Sequence, residues 1–337
     1  MRAPLRTPPH PPLRRPRLRP GLPLLRRRAG EVQIGLEPGL ATVVDGVPPA
    51  VLDALDDLAG AHTAAGLLRR AGPHRAEMAE LLAGLAGRGL LEDAAGPVQA
   101  SELAADAAHA ATRQTAGLST RAAAGVLVRG DGRIAVAVGR LLAESGVGHV
   151  RVVARGRVEP ADLGTGLRRR DIGLPRAEAA CGVVARASDS VRTHGFHGRS
   201  PDLVVLADAP VPDPAVLACL RAPHLPVSAA QGVGVVGPLV LPGRTACLRC
   251  LDLHRTAGDA CWPVVAAQVA GRAVPADLAT VHAAAALAVA QTLAALRGPT
   301  GVGGVALRVD PAAGTLTRQA WPPHPECGCG AGRAIGG

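Results

Sequence analysis

The sequence of 337 residues contains no lysine, no asparagine and no tyrosine, and aromatic residues make up only 1% of it. The codons of the three missing residues are AT-rich, so the bias of a GC-rich genome is a sufficient cause. The chemical consequences are sharp. Without lysine there is no Schiff base, no ammonium to clamp a phosphate and no acceptor for an isopeptide bond, and every fixed cation is an arginine. With 48% hydrophobic residues and almost no aromatic ones, the core has to be built from Leu, Val and Ala. Long apolar runs are also lacking. None reaches the roughly 18 residues of a membrane span, because the stretch 280–297 is interrupted by His282, Gln291 and Arg297. The N-terminus carries charge but no apolar segment, so no signal peptide is expected. A cytoplasmic, reducing location is the expectation. Seven cysteines in that setting do not suggest a disulfide framework, and paired cysteines are read first as metal ligands.

Acidic residues are scarce where basic ones are dense. The net charge is +10 and the pI about 10.8, which points towards an acidic partner or nucleic acid. Much of the excess lies before Glu31, in Arg2, Arg6, Arg14, Arg15, Arg17, Arg19 and Arg26 to Arg28. Residues 1–20 hold no acid and many prolines, and read as a disordered, solvated basic tail.

Residues 21–95 predict a small α+β unit. Val32, Ile34 and Leu36 alternate with polar or small residues, the period of a strand with one buried face. The turn residues Glu37-Pro38-Gly39 follow, then a second strand over 41–44. Val51, Leu52, Leu55 and Leu58 have helical spacing. Thr63 is placed to cap a second helix bearing Leu67 and Leu68. Met78, Leu81, Leu82 and Leu85 mark a third, which Gly89 ends before Leu90-Leu91. This order resembles the winged-helix leader-recognition domain of peptide-modifying pathways, the PqqD-like family. The resemblance implies that an extended leader peptide adds to the edge of the strand Val32, Ile34, Leu36 and sets its side chains beside Leu81 and Leu85. A DNA-binding winged helix shares the topology, but the third helix carries Glu77 and Glu80 and is poorly suited to a major groove, so nucleic acid is disfavoured. A purely structural cap is the third option.

Residues 96–120 are Ala-rich and read as a linker or one helix. From Gly125 strands over 125–128, 150–153 and 203–206 alternate with helices ending near Leu142 and covering 177–185. This pattern predicts an α/β, Rossmann-like doubly wound fold with a parallel sheet over 121–333. Gly130-Asp131-Gly132 between a strand and Arg133-Ile134-Ala135 is the glycine turn that aims backbone N–H groups at a phosphate. Further landmarks follow in order: Glu144-Ser145-Gly146-Val147-Gly148, Arg157-Val158-Glu159-Pro160-Ala161-Asp162-Leu163, and Asp171-Ile172-Gly173-Leu174-Pro175-Arg176-Ala177. Together they resemble the E1-like, ThiF-type family. The resemblance places the nucleotide site at Gly130, Gly132, Arg176 and Asp208, and it exposes losses. The ribose-binding acid falls on Ala154, the catalytic arginine on Thr165, two asparagines on Asp162 and Gly164, and the phosphate lysine on Arg176. Loss of positioned cations costs orders of magnitude in phosphoryl chemistry, so ATP is a doubtful cofactor and no residue is assigned a catalytic role.

Cys247-Leu248-Arg249-Cys250 and Cys327-Gly328-Cys329 supply two close pairs of soft ligands, the four-thiolate set that structural Zn²⁺ prefers. E1-like proteins pair a CxxC with a second, C-terminal pair, and the resemblance implies zinc held by these four residues. Cys181 and Cys219 sit in helical apolar patterns and read as core; Cys261 is weighed as a thioester carrier and set aside.

A leader-recognition domain fused to an inactive E1-like domain resembles the partner proteins of azol(in)e-forming cyclodehydratases. That resemblance implies a non-catalytic protein that binds a precursor leader peptide and works with a YcaO-type enzyme, with a homodimer left open. The alternatives are an active ThiF-type adenylyltransferase acting on a sulfur carrier or ubiquitin-like protein, and a basic winged-helix nucleic-acid-binding protein.

Overall fold

The computed structural model describes residues 13–94, 101–112, 116–298 and 303–331. The chain divides into two compact units, Met1–Gly117 and Leu118–Gly337.

The first unit runs β1 (Pro16–Leu18), β2 (Leu24–Arg28), β3 (Glu31–Ile34), β4 (Thr42–Val44), α1 (Pro49–Asp56), α2 (Ala64–Arg70), α3 (Arg75–Gly87), β5 (Leu91–Asp93) and α4 (Ala104–Thr112). The expected disordered tail of residues 1–20 is corrected in part. Residues 13–20 are ordered, because β1 pairs antiparallel with β5, Arg17 opposite Glu92, and Arg17 Nη2 lies 2.6 Å from Glu92 Oε1. Residues 1–12 lie outside the described residues, as do 95–100 and 113–115 of the segment read as a linker; within it, Ala104–Thr112 is helical. Thr63 caps α2 through Gly66 N–H at 3.1 Å, a contact worth about 1 kcal/mol, and Gly89 follows α3 with φ +71°. Val32, Ile34, Leu55, Leu67, Met78 and Leu85 form the core of this unit.

The second unit runs α5 (Leu118–Ala123), β6 (Gly125–Arg129), α6 (Arg133–Glu144), β7 (His149–Val153), α7 (Arg176–Ala187), β8 (Leu203–Ala207), α8 (Pro214–Cys219), β9 (His224–Ala230), β10 (Val233–Val236), α9 (Leu248–Gly258), α10 (Trp262–Val269), α11 (Leu278–Arg297), β11 (Val305–Asp310) and β12 (Thr315–Ala320). Its seven strands lie in the order β12-β11-β10-β9-β8-β6-β7. The pairs β7/β6, β6/β8 and β8/β9 are parallel, whereas β10, β11 and β12 are added antiparallel. The expected parallel sheet therefore holds for one half and is corrected for the other, where short hairpins join β9 to β10 and β11 to β12 while α9, α10 and α11 lie between β10 and β11. All five residues of β8 are buried, as a central strand covered on both faces requires.

With so few aromatics the layers close by small residues. A Cβ at Gly139 of α6 would stand 2.8 Å from Val152 Cγ2 of β7, so helix and sheet meet at a distance only glycine allows. By length and composition α11 is apolar enough to cross a membrane, which corrects the expectation that no segment reaches that length. Its Val281, Ala284, Ala285, Ala288 and Leu293 are instead buried in the core, against α6, β9 and β10.

Candidate functional site

The glycine turn closes on an acid. β8 ends at Ala207, and Asp208 follows at φ +75°, a conformation disfavoured for residues other than Gly, Asn and Asp. This places its carboxylate against the start of α6. It accepts from the N–H groups of Gly132 at 2.9 Å, Ile134 at 2.9 Å and Ala135 at 3.4 Å. Those amides have no partner within the helix, and they are the donors that a nucleotide phosphate uses at such a turn. Any Cβ at Gly130 or Gly132 would collide with the same carboxylate, the one at Gly132 within 2.7 Å of Oδ1. Gly130, Gly132 and Asp208 thus form one packed unit. Burial raises the Asp208 pKa to about 6, against the lowering effect of the three amides.

The remaining predicted nucleotide residues are also engaged. Arg176, at the start of α7, lies 2.9 Å from Asp162 Oδ2 and 3.5 Å from Glu159, so its charge is already balanced. Thr165 is buried, and its Oγ1 has no hydrogen-bond partner among the described residues. The side chain of Ala154 offers no acceptor for a ribose. Arg155 instead pairs with Asp131 at 3.1 Å across the mouth. The cleft beyond the carboxyl ends of β6, β7 and β8 has a volume of about 120 Å³, well under the roughly 300–1,000 Å³ of ordinary ligand pockets.

The four predicted metal ligands do come together. Cys247 caps the start of α9, Cys250 lies one turn inside it, and Cys327 and Cys329 follow β12. The sulfurs of Cys247 and Cys250 are 3.8 Å apart, of Cys247 and Cys327 3.6 Å, and of Cys250 and Cys329 3.7 Å; all four lie within 4.8 Å of one another. A tetrahedron with metal–sulfur bonds of about 2.3 Å has edges of about 3.8 Å, so the cluster fits one ion and could bind a metal such as zinc. Burial raises the Cys247 and Cys327 thiols; it would raise Cys329 too, but the Ala331 N–H and the neighbouring thiols outweigh it and hold Cys329 below the usual value. Cys219, expected in the core, is exposed, as is Cys261: α8 is only six residues long and buries none of them.

The proposed peptide edge needs correction. β3, which carries Val32 and Ile34, is the middle strand of the sheet β2-β3-β4, so its backbone is paired on both sides. Val32 and Ile34 are core residues, while Leu36 lies beyond the strand and is 71% exposed. The edge strands are β2 and β4, and β4 is the one beside the groove on α3. Gly35 N–H donates to Pro23 O, so Gly35 and, by alternation, Gln33 turn their backbone groups to β2. Val32 and Ile34 then face Val44 and Thr42, which leaves the N–H and C=O of Val43 turned outward. Beside this edge lies a groove of about 490 Å³ between β4 and α3, lined by Val43, Leu81, Gly84, Leu85 and Arg88 among others. Leu81 and Leu85 both line this groove. Asp45, Glu77 and Glu80 also line the groove, against the one cation Arg88. Periodicity identified the strands but carries no information on their order, so the edge position of β4 was missed.

The mixed seven-stranded sheet and its helices form an E1/ThiF-like fold. No protein-family model matches the sequence, and no curated protein sequence matches it either. Solved structures do. The microcin C7 biosynthetic enzyme MccB, in complex with N-formylated MccA, superposes with a TM-score of 0.69 at 16% identity, over 94% of this chain and 99% of that one. E. coli MccB with ATP gives 0.70 at 17% identity over 93% and 99%. PaaA gives 0.64 at 16% identity over 89% and 98%.

Proposed function

We propose that this chain is a peptide-binding E1-like protein that recognises the leader of a precursor peptide and has given up adenylation, serving as the non-catalytic partner of a YcaO-type enzyme in the cytoplasm. The observation that carries the peptide reading is the open edge of β4 facing α3 across a groove. An extended peptide adding there gains main-chain hydrogen bonds from Val43, and Leu81 and Leu85 take its apolar side chains. The groove's acids favour a leader with basic residues, which replaces the acidic leader that overall charge would suggest. Loss of adenylation is supported by the carboxylate of Asp208 on the α6 amides, the pairing of Arg176 with Asp162, and the small cleft. In this reading zinc is held by Cys247, Cys250, Cys327 and Cys329, where it would fasten the end of the chain to α9.

The rival reading, an active adenylyltransferase, draws on one observation: the likeness to MccB spans nearly the whole of both chains, and one of those structures contains ATP. ATP–pyrophosphate exchange by the full chain, with the short peptides encoded beside its gene, separates the two. Exchange at background alongside saturable peptide binding is expected, and robust exchange would establish the rival.

A further inference from the structure

His149 opens β7, an edge strand of the seven-stranded sheet, and is only 5% exposed. The side of β7 away from β6 is covered by the segment 188–202, between α7 and β8. The cover is a short parallel bridge: Val150 N–H donates to Arg192 O at 2.9 Å, and Arg192 N–H to Gly148 O at 3.0 Å. The His149 side chain adds a third bond, with Nε2 2.9 Å from His194 O. A carbonyl oxygen only accepts, so Nε2 carries the proton. The ring stacks on Phe196, the one phenylalanine of the chain, at 4.1 Å between centroids, and lies 4.9 Å from the His194 ring. Phe196 in turn packs on the start of β6, where a Cβ at Gly125 would stand 2.6 Å from its Cε1. One imidazole thus ties the cap to the sheet edge.

Its surroundings are cationic. Arg121 of α5, Arg151 of β7, Arg186 of α7 and Arg192, His194, His197 and Arg199 of the cap lie on the elements around the ring. The acids there are already engaged or exposed. Glu144 of α6 pairs with Arg140 at 2.8 Å, Asp202 accepts from Gly125 N–H at 2.7 Å and lies 3.5 Å from Arg199, and Asp189 is exposed at the start of the cap. His149 makes no ion pair among the described residues. A second proton on the ring would place a charge in a desolvated site with no acid to receive it. Burial accordingly holds His149 below the ordinary histidine pKa of 6.5; the His194 carbonyl opposes this, and the charges of His194, Arg192 and Arg199 add to it. As pH falls below 6.5, a released His149 takes up the proton that the docked ring excludes, so docking weakens in acid and is constant above neutrality.

We propose that His149 is an acid-sensitive latch: when its ring takes a second proton, the segment 188–202 leaves the edge of β7. The latch uses none of the residues assigned to peptide, nucleotide or zinc, so it stands or falls separately from them.

The test is hydrogen–deuterium exchange of the full chain at about pH 7.5 and about pH 5.5, corrected for intrinsic rates, in peptides covering 148–153 and 188–202. In the parent their protection should fall several-fold in acid, and at most about tenfold, the ratio of charged to neutral imidazole at the lower pH for a histidine of ordinary pKa. His149→Gln keeps an amide donor for His194 O and cannot titrate, so its protection should be equal at the two pH values. His197→Asn, at an exposed ring with positive φ, should behave as the parent. Should the glutamine fail to hold the cap at neutral pH, the parent's own titration decides: by proton NMR His149 should titrate below His194 and His197. No loss of protection in the parent, an equal loss in His149→Gln, a loss spread evenly over the second unit, or His149 titrating together with His194 and His197 would overturn the proposal.

Discussion

The Asp208 carboxylate accepts a hydrogen bond from the Gly132 N–H at 2.9 Å, and this contact joins the end of β8 to the start of α6. The turn that in related folds receives a phosphate here receives the chain's own acid. A nucleotide would have to displace a buried group that holds three backbone amides.

That contact has a pH signature. Burial pushes the Asp208 carboxyl in the folded protein up to about 6 from its ordinary 3.8, so between those pH values the folded state holds a proton that the unfolded state has released. Stability from this group is therefore lost as pH rises from about 4 to about 6 and is constant above, a change of about 3 kcal/mol. Asp208→Asn keeps an acceptor, tolerates the positive φ and removes the titration. Urea midpoints of both proteins across this range should diverge in favour of the variant as pH rises. Parallel curves would contradict the burial of an ionisable Asp208.

The engaged state of Arg176 and the small cleft predict no ATP–pyrophosphate exchange above background, with or without peptide. Gly132→Val should lower the thermal midpoint, since its Cβ meets the Asp208 carboxylate, and leave that background unchanged. Exchange in the parent that Gly132→Val abolishes would show a working nucleotide site.

The cysteine cluster predicts about one zinc per chain by elemental analysis. Cys247→Ser/Cys329→Ser should lose it and destabilise the second unit, because structural metal binding is coupled to folding. Full zinc content in the double variant would remove the assignment.

The sequence made some of this legible and not the rest, for physical reasons. The four cysteines could be grouped from spacing because two close pairs make up the ligand count of one tetrahedral site. The β6–turn–α6 unit was legible because glycine, strand and helix signals are local. The antiparallel half of the sheet was not, since β10 to β12 carry weak alternation and β12 is exposed throughout. Asp208 was named as a ligand residue, but its capping role depends on a contact across 76 positions. The ordering of residues 13–20 likewise needs the distant partner Glu92, which composition cannot see. The cap on β7 joins His149 to His194 across 45 positions and left no motif.

The central claim, that an extended peptide pairs with the edge of β4, is tested most directly at Val43. Val43→Pro removes the one outward donor while sparing the bonds of Thr42 and Val44 to β3, and proline is tolerated at a sheet edge. Gln33→Pro, in the middle strand, should instead unfold the first unit. The measurement is fluorescence polarisation of the full chain with labelled precursor peptides encoded beside its gene, and with duplex DNA in parallel. The account predicts saturable peptide binding that weakens about tenfold in Val43→Pro, from loss of one main-chain hydrogen bond of about 1–1.5 kcal/mol, with an unchanged thermal midpoint. Undiminished binding by Val43→Pro, or no peptide binding alongside DNA binding with a steep salt dependence, would contradict it.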